Sequence, residues 1–192
     1  MSGQALAGAH GGSLYAAAGP DRRSESRTVP SPPDHRQLPV LGWKEHVTLP
    51  EWGLQLRGKL DTGARSSALH VTSLEEIGEH HDGEAGPLPI VRFDVVLGHR
   101  DAPRHHEIES VVVGHKVVKD TGARAERRPV VRTRIVCGPL DTVADITLTD
   151  RTGMIFRMLL GRLTLEDHCL VDPANGYLAT VAGSAAATAP TP

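Results

Sequence analysis

The stretch Lys59-Leu60-Asp61-Thr62-Gly63-Ala64-Arg65-Ser66-Ser67-Ala68-Leu69 decides how the rest of the chain is read. Leu54, Leu56 and Leu60 lead into it in alternation with polar residues, the period of a strand with one buried face. Asp61 then stands at the end of that strand, followed by Thr62 and Gly63. A tight turn of this kind presents one carboxylate from a rigid base. Gly63 lets the backbone take a conformation that a Cβ would resist, and Thr62 can hydrogen-bond backbone nearby. The small residues that follow can pack beneath the loop, and a further strand is expected over 67–71.

Outward from this stretch, strands dominate. Alternation predicts them over 43–49, 54–60, 90–97, 108–118, 130–136, 143–149 and 154–160, with brief ones over 169–171 and 177–180. Pro50-Glu51-Trp52-Gly53 reads as a turn, 79–89 as a polar loop, and Asp150-Arg151-Thr152-Gly153 as the turn of a hairpin joining the last two long strands. Ser73-Leu74-Glu75-Glu76 reads as a helix start with Ser73 as N-cap, and 163–168 as a second short helix. Many short strands separated by turn signals predict an all-β domain, a barrel or a sandwich, with one or two short helices.

The chain has 192 residues, enough for one sizeable domain with tails. Residues 1–37 are rich in Gly, Ala, Ser, Pro and Arg, and 181–192 in Ala, Thr and Pro. Neither buries enough apolar surface to offset its ordering entropy, so both are expected to be disordered around a domain at 38–180. Aromatic residues make up only 3%, so the core must be aliphatic. A formal net charge of −2 suggests neither nucleic acid nor an anionic membrane as partner. No apolar run reaches the roughly 20 residues needed to span a bilayer. No signal peptide is read, which gives the expectation of a cytoplasmic protein. Cys137 and Cys169 lie in apolar surroundings and read as buried thiols, although sequence does not decide against a disulfide.

Asp-Thr-Gly alone is a weak signal, but Met158-Leu159-Leu160-Gly161-Arg162 lies far downstream. That segment resembles the one that crosses behind the Asp-Thr-Gly loop in retropepsins. Gly42-Trp43-Lys44-Glu45-His46-Val47-Thr48-Leu49-Pro50, Glu126-Arg127-Arg128-Pro129-Val130-Val131, Leu148-Thr149-Asp150-Arg151 with Met154, and Val171-Asp172-Pro173 take their places in order around the two. The whole is similar to a small bacterial family labelled "ATP-dependent zinc protease", also called RimB-like, whose members sit beside RimK-type ATP-grasp ligases. The resemblance implies a retropepsin-like closed β-barrel and an aspartic endopeptidase. It implies Asp61, Thr62 and Gly63 as the catalytic loop and Leu159, Leu160, Gly161 and Arg162 as its support. A peptide or protein is then the substrate, and glutamate-rich tails made by the ligase are a candidate.

One Asp cannot perform this chemistry. Two carboxylates must share a proton around a water, one as base and one as acid. A chain with one such Asp must therefore form a homodimer about a two-fold axis. Asp120-Thr121-Gly122-Ala123-Arg124 repeats residues 61–65 letter for letter, but the polar run Ala125-Glu126-Arg127-Arg128 follows it and no second Leu-Leu-Gly-Arg does. Counting back from 154–160 along retropepsin order makes the repeat the tip of a flap, with 111–118 and 130–136 as its two strands and an insertion over 75–107. Arg124, Arg127 and Arg128 would then hang over the cleft, and Ala64 and Arg65 would meet substrate, favouring acidic peptides. Arg65 stands where retropepsins carry an acid that pairs with the downstream Arg, so Arg162 is expected to find Asp172 or Asp167 instead.

The family's zinc and ATP labels find no support in the residues. His80-His81 and His105-His106 are neighbours that point apart, His106-Glu107-Ile108-Glu109-Ser110 lacks the second His of the zincin pattern, and the cysteines form no knuckle. No phosphate-binding Gly-Lys loop is present, so ATP would act through a partner ligase. No metal and no cofactor are expected. Two other readings stay open: a catalytically silent β-barrel that binds a peptide or protein, and a metal-dependent hydrolase.

Overall fold

The computed structural model describes residues 37–81, 86–99, 101–119 and 125–180. Among these, the strands form a nine-stranded and a two-stranded sheet. The chain runs through β1 (Val40–Gly42), β2 (Lys44–Leu49), β3 (Leu54–Asp61), β4 (Ser67–His70), β5 (Thr72–His81), β6 (Pro87–His99), β7 (Ala102–Lys119), β8 (Ala125–Cys137), β9 (Leu140–Thr149), β10 (Met158–Gly161), the short helix α1 (Arg162–Leu165) and β11 (Leu170–Asp172). The large sheet has the order β2-β3-β10-β4-β9-β8-β7-β6-β5, and β1 pairs with β11. One further pairing, Thr48 with Val136, links β2 to β8. No helix of the described residues is long and apolar enough to cross a membrane.

Alternation builds the central strands as expected. Leu54, Leu56 and Leu60 of β3 are buried, while Gln55 and Arg57 are exposed. Gly58 keeps the same inward register, and glycine suits it because a Cβ there would meet Val47 Cγ2 at 2.6 Å. The core they enter contains Val47, Leu49, Leu69, Ile146, Leu148, Met158 and Leu160, all essentially inaccessible. Each such aliphatic side chain contributes roughly 1.5–3 kcal/mol by leaving water. Strand β4 is buried along its whole length, as suits a short strand covered on both faces.

Several expectations are overturned. Ser73-Leu74-Glu75-Glu76 is strand, not helix: β5 runs from Thr72 and pairs antiparallel with β6. Ser73 has φ +53° at a bulge in this ladder and caps nothing. Local helix preference is weak against a full set of cross-strand hydrogen bonds. The same ladder continues through Glu79, His80 and His81 opposite Pro89, Leu88 and Pro87, where a polar loop was expected. The two histidine pairs therefore lie on strands, His80-His81 on β5 and His105-His106 on β7.

The expected hairpin between 143–149 and 154–160 does not form. Asp150 to Gly153 does turn, with Met154 N donating to Arg151 O at 3.0 Å. However, β4 lies between β9 and β10, parallel to the first and antiparallel to the second. The ladder position beside β9 is already filled by Ser67–His70, and β10 begins only at Met158.

Residues 177–180 form no strand. Their backbone is held instead by Glu45, a fully buried carboxylate. It accepts from Leu178 N at 2.9 Å, Ala179 N at 3.1 Å and Thr180 N at 3.1 Å, from the Thr180 hydroxyl, and from Gly42 N at 2.7 Å. The two strands expected to carry a flap tip, 111–118 and 130–136, pair at Val112 with Val131 and Gly114 with Val130, but the ladder then runs on from His115 with Pro129 to Lys119 with Ala125, so β8 begins earlier than expected. The Asp120–Arg124 repeat lies outside the described residues, as do the tails save Gln37.

Candidate active site

Asp61 closes β3, and its carboxylate folds back over the turn that follows. Oδ1 accepts from Gly63 N at 3.1 Å and Ala64 N at 3.3 Å. Oδ2 takes the Lys59 ammonium at 3.0 Å. Lys59 lies two residues earlier on the same strand, and therefore on the same face. Its hydrogen bond is the main cause holding the Asp61 carboxyl below the usual carboxylate range; partial burial acts the other way, and the Lys59 charge and the two amides add to the lowering.

Strand β10 runs parallel to β3 with Gly161 level with Asp61 and Leu160 with Leu60. A Cβ on Gly161 would lie 2.5–2.8 Å from the backbone of Ser66, so only glycine allows the loop to settle there. The Gly161 amide donates to Ser67 Oγ at 3.1 Å. That hydroxyl also bonds Thr164 Oγ1 at 2.7 Å, and Thr147 Oγ1 donates to Ser67 O at 2.9 Å. The backbone closes the contact, with Arg162 N donating to Ala64 O at 2.9 Å and Leu163 N to Arg65 O at 3.1 Å.

Arg162 finds no carboxylate among the described residues. Its Nη1 donates to the carbonyls of Thr62 at 3.0 Å and Gly63 at 3.3 Å. Asp172 instead caps its own turn, accepting from Ala174 N at 2.7 Å and the Asn175 side chain at 2.8 Å. The Asp61 loop is thus held by backbone and one guanidinium, and its part-exposed carboxylate is engaged by Lys59 and the Gly63 and Ala64 amides.

Over this loop lies the β7–β8 hairpin, where Lys116 Nζ donates to Ser66 Oγ. Between hairpin and loop is a cavity of about 480 Å³ whose polar lining includes Arg65, Ser66, Lys116, Arg128 and Arg151, with Ala64 and Leu159 also touching it. Of the residues expected to meet substrate, Ala64, Arg65 and Arg128 are brought together here. Arg127 is not; it lines a separate cavity with Thr72 and Glu126. Arg124 lies outside the described residues. Sequence reasoning missed Lys116 and Arg151. Arg151 stood in a quoted motif but was read only as turn, and nothing in the β7 alternation singles out Lys116.

A zinc site needs three or four N, S or O ligands around one point. No cluster of three His, Cys, Asp or Glu residues occurs among the described residues. Cys137 and Cys169 are free and buried, and burial pushes their thiols up to about 12 and about 11. Neither supplies a thiolate near neutral pH.

These features define an all-β protein with one carboxylate on a strand-end loop, buttressed by a parallel strand and roofed by a hairpin. Residues 40–181 match the family model described as retropepsin-like aspartic endopeptidase RimB, and the chain belongs to this RimB-like family. A protein of Desulfotalea psychrophila named probable alpha-L-glutamate ligase is 30% identical over 70% of this chain and 28% of its own length. A Shewanella pealeana protein of the same name is 29% identical over 72% of this chain and 29% of its own. The chain therefore spans less than a third of these curated relatives. The crystal structure of a Legionella pneumophila protein of unknown function superposes with a TM-score of 0.58 at 31% identity, covering 74% of this chain and 98% of that one.

Proposed function

We propose that the chain is an aspartic endopeptidase acting as a homodimer, with Asp61 of each copy contributing one half of the catalytic pair. The observation that carries this reading is the register of Gly161 with Asp61, which presents a single carboxylate on an over-determined loop. In the proposed pair, one carboxylate takes a proton from water as the water oxygen attacks the scissile carbonyl carbon. The other, protonated, gives its proton to the carbonyl oxygen. Collapse of the resulting gem-diol breaks the C–N bond as a proton passes to the departing amine. The six strands β2, β3, β10, β4, β9 and β8, joined end to end by Thr48 and Val136, are then read as a retropepsin-like barrel within a domain at 38–180.

The substrate we propose is a glutamate-rich chain. Two points support it: the cations around the cavity, and the part-length match to proteins named as glutamate ligases. A peptidase of this kind would trim what such a ligase extends. The Lys59–Asp61 ion pair favours the second reading, a silent peptide-binding module, because it neutralises the acid in the single chain. Cleavage of an oligo-glutamate peptide from acid to neutral pH decides between them. The expected result is activity that is lost in Asp61→Asn and kept with chelator. Activity surviving in Asp61→Asn and lost with chelator would overturn the peptidase proposal, and a strict monomer that still cleaves would overturn the dimer.

A further inference from the structure

We propose that Arg151 is the specificity-determining side chain of the cleft, taking the side-chain carboxylate of a substrate residue beside the scissile bond. The proposal rests on the peptidase reading for its substrate, but the site itself is argued from the geometry of the cavity.

Arg151 differs from three arginines of β8. Arg128 pairs with Glu126 at 2.7 Å, Arg132 with Asp145 at 2.7 Å and Arg134 with Asp141. Arg151 has no ion-pair partner among the described residues, and its Nε is buried without a hydrogen-bond partner. A buried guanidinium N–H left without an acceptor is costly, and an anionic ligand in the cavity would relieve that cost. Its surroundings point the same way. Burial is the main cause lowering its pKa, and the Arg128 charge adds to this, while the charge of Asp61 acts in the opposite sense. Arg151 thus lies within electrostatic reach of the proposed catalytic carboxylate and lines the same cavity as Ala64, Ser66 and Leu159.

The base of Arg151 is fixed. Its backbone N donates to Nδ1 of the buried His70 at 2.8 Å, and Asp150 caps the turn through Thr152 N at 2.8 Å. A planar fork on a fixed base suits two-pronged recognition of a carboxylate, which a lysine ammonium reproduces only as a point charge. Lys116 is held by Ser66 and Arg128 by Glu126, so they contribute positive field around the cavity. Arg65 also lines it but is exposed, which leaves Arg151 as the partly buried guanidinium of the lining without an ion-pair partner among the described residues.

The test uses the full chain carrying Asp61→Asn, so that binding is read without cleavage. Its probes are a fluorescent oligo-glutamate peptide and a length-matched glutamine peptide, followed by anisotropy. The glutamate peptide should bind more tightly. Adding Arg151→Gln should weaken it by about 10-fold or more, the scale of a charge-assisted hydrogen bond, with a smaller loss on the glutamine peptide. Arg151→Lys should keep part of the preference. Equal binding of the two peptides, no binding of either, or a preference that survives Arg151→Gln would overturn the proposal. Urea midpoints show whether Arg151→Gln is folded, and where it is not, Arg151→Lys decides by its reduced preference. Binding discrimination without cleavage by the unsubstituted chain would refute the peptidase and leave the subsite standing. Cleavage without discrimination would do the reverse.

Discussion

Gly161→Ala is the sharpest perturbation of the buttress behind Asp61. An ideal Cβ there lies 2.5 Å from Ser66 C, 2.6 Å from Ser66 O and 2.8 Å from Ser66 N. Carbon contacts settle near 3.5–4.0 Å, so the loop must retreat by roughly 1 Å. The obstacle is backbone, with no flexible side chain to swing aside. Overpacking alone costs about 1–3 kcal/mol. The retreat also stretches the Gly161 N to Ser67 Oγ and Arg162 N to Ala64 O bonds, 3.1 and 2.9 Å long, each worth about 1 kcal/mol. With both bonds given up, the expected loss is about 3–5 kcal/mol, read as a lower urea midpoint at unchanged m-value. Gly114→Ala is the comparator, because a Cβ there meets nothing within 4 Å. Peptidase activity should fall with the buttress, since a displacement of about 1 Å at reacting groups costs on the order of 100-fold. If Gly161→Ala and Gly114→Ala unfold at the same urea concentration, the account of the buttress is wrong.

Glu45→Ala removes the acceptor shared by the amides of Gly42, Leu178, Ala179 and Thr180; a loss of about 3 kcal/mol or more is expected. Amide exchange at 178–180 should rise sharply, and unchanged protection there would contradict the clamp. Because the Asp61 pKa is lowered in the folded chain, its ion pair contributes stability above the ordinary carboxylate pKa of about 3.9, and that contribution disappears as pH falls through the lower folded value. Lys59→Met should move the Asp61 titration upward by NMR and reduce this acid-side dependence, the Gly63 and Ala64 amides keeping the rest; an unmoved titration would show that Lys59 does not set it. Cys137 and Cys169, pushed up to about 12 and about 11 by burial, should resist a thiol reagent at pH 8 until the chain unfolds, and labelling of the native protein within minutes would refute their burial.

How much of this was legible in the sequence depended on whether the signal was local or carried by a motif. The alternation of Leu54, Leu56 and Leu60 marks β3 without reference to any partner, and the Asp61-Thr62-Gly63 turn ends it. The adjacency of Asp61 and Gly161 is far from local, and only the resemblance of the two segments to a known pair made it readable. Where neither help was present, reasoning from neighbours went astray. Asp150 to Gly153 does turn, which suggests a hairpin, but the ladder beside β9 is occupied by the fully buried β4, which separates β9 from β10. Ser73 offered a helix cap, yet β6 offered a ladder of backbone bonds that one cap cannot match. For Arg162 the resemblance itself misled, because retropepsins pair that Arg with an acid where this chain has Arg65. The carbonyls of Thr62 and Gly63 lay nearer, and a guanidinium accepts that exchange because its fixed donors can bond two oxygens of one turn. The cleft is the hardest case. Lys116, Arg128 and Arg151 come from β7, β8 and the turn after β9, so no period or spacing connects them. Only the folded sheet brings these three, together with Arg65, around one cavity beside the Asp61 loop, and that convergence makes an acidic substrate the chemistry to test.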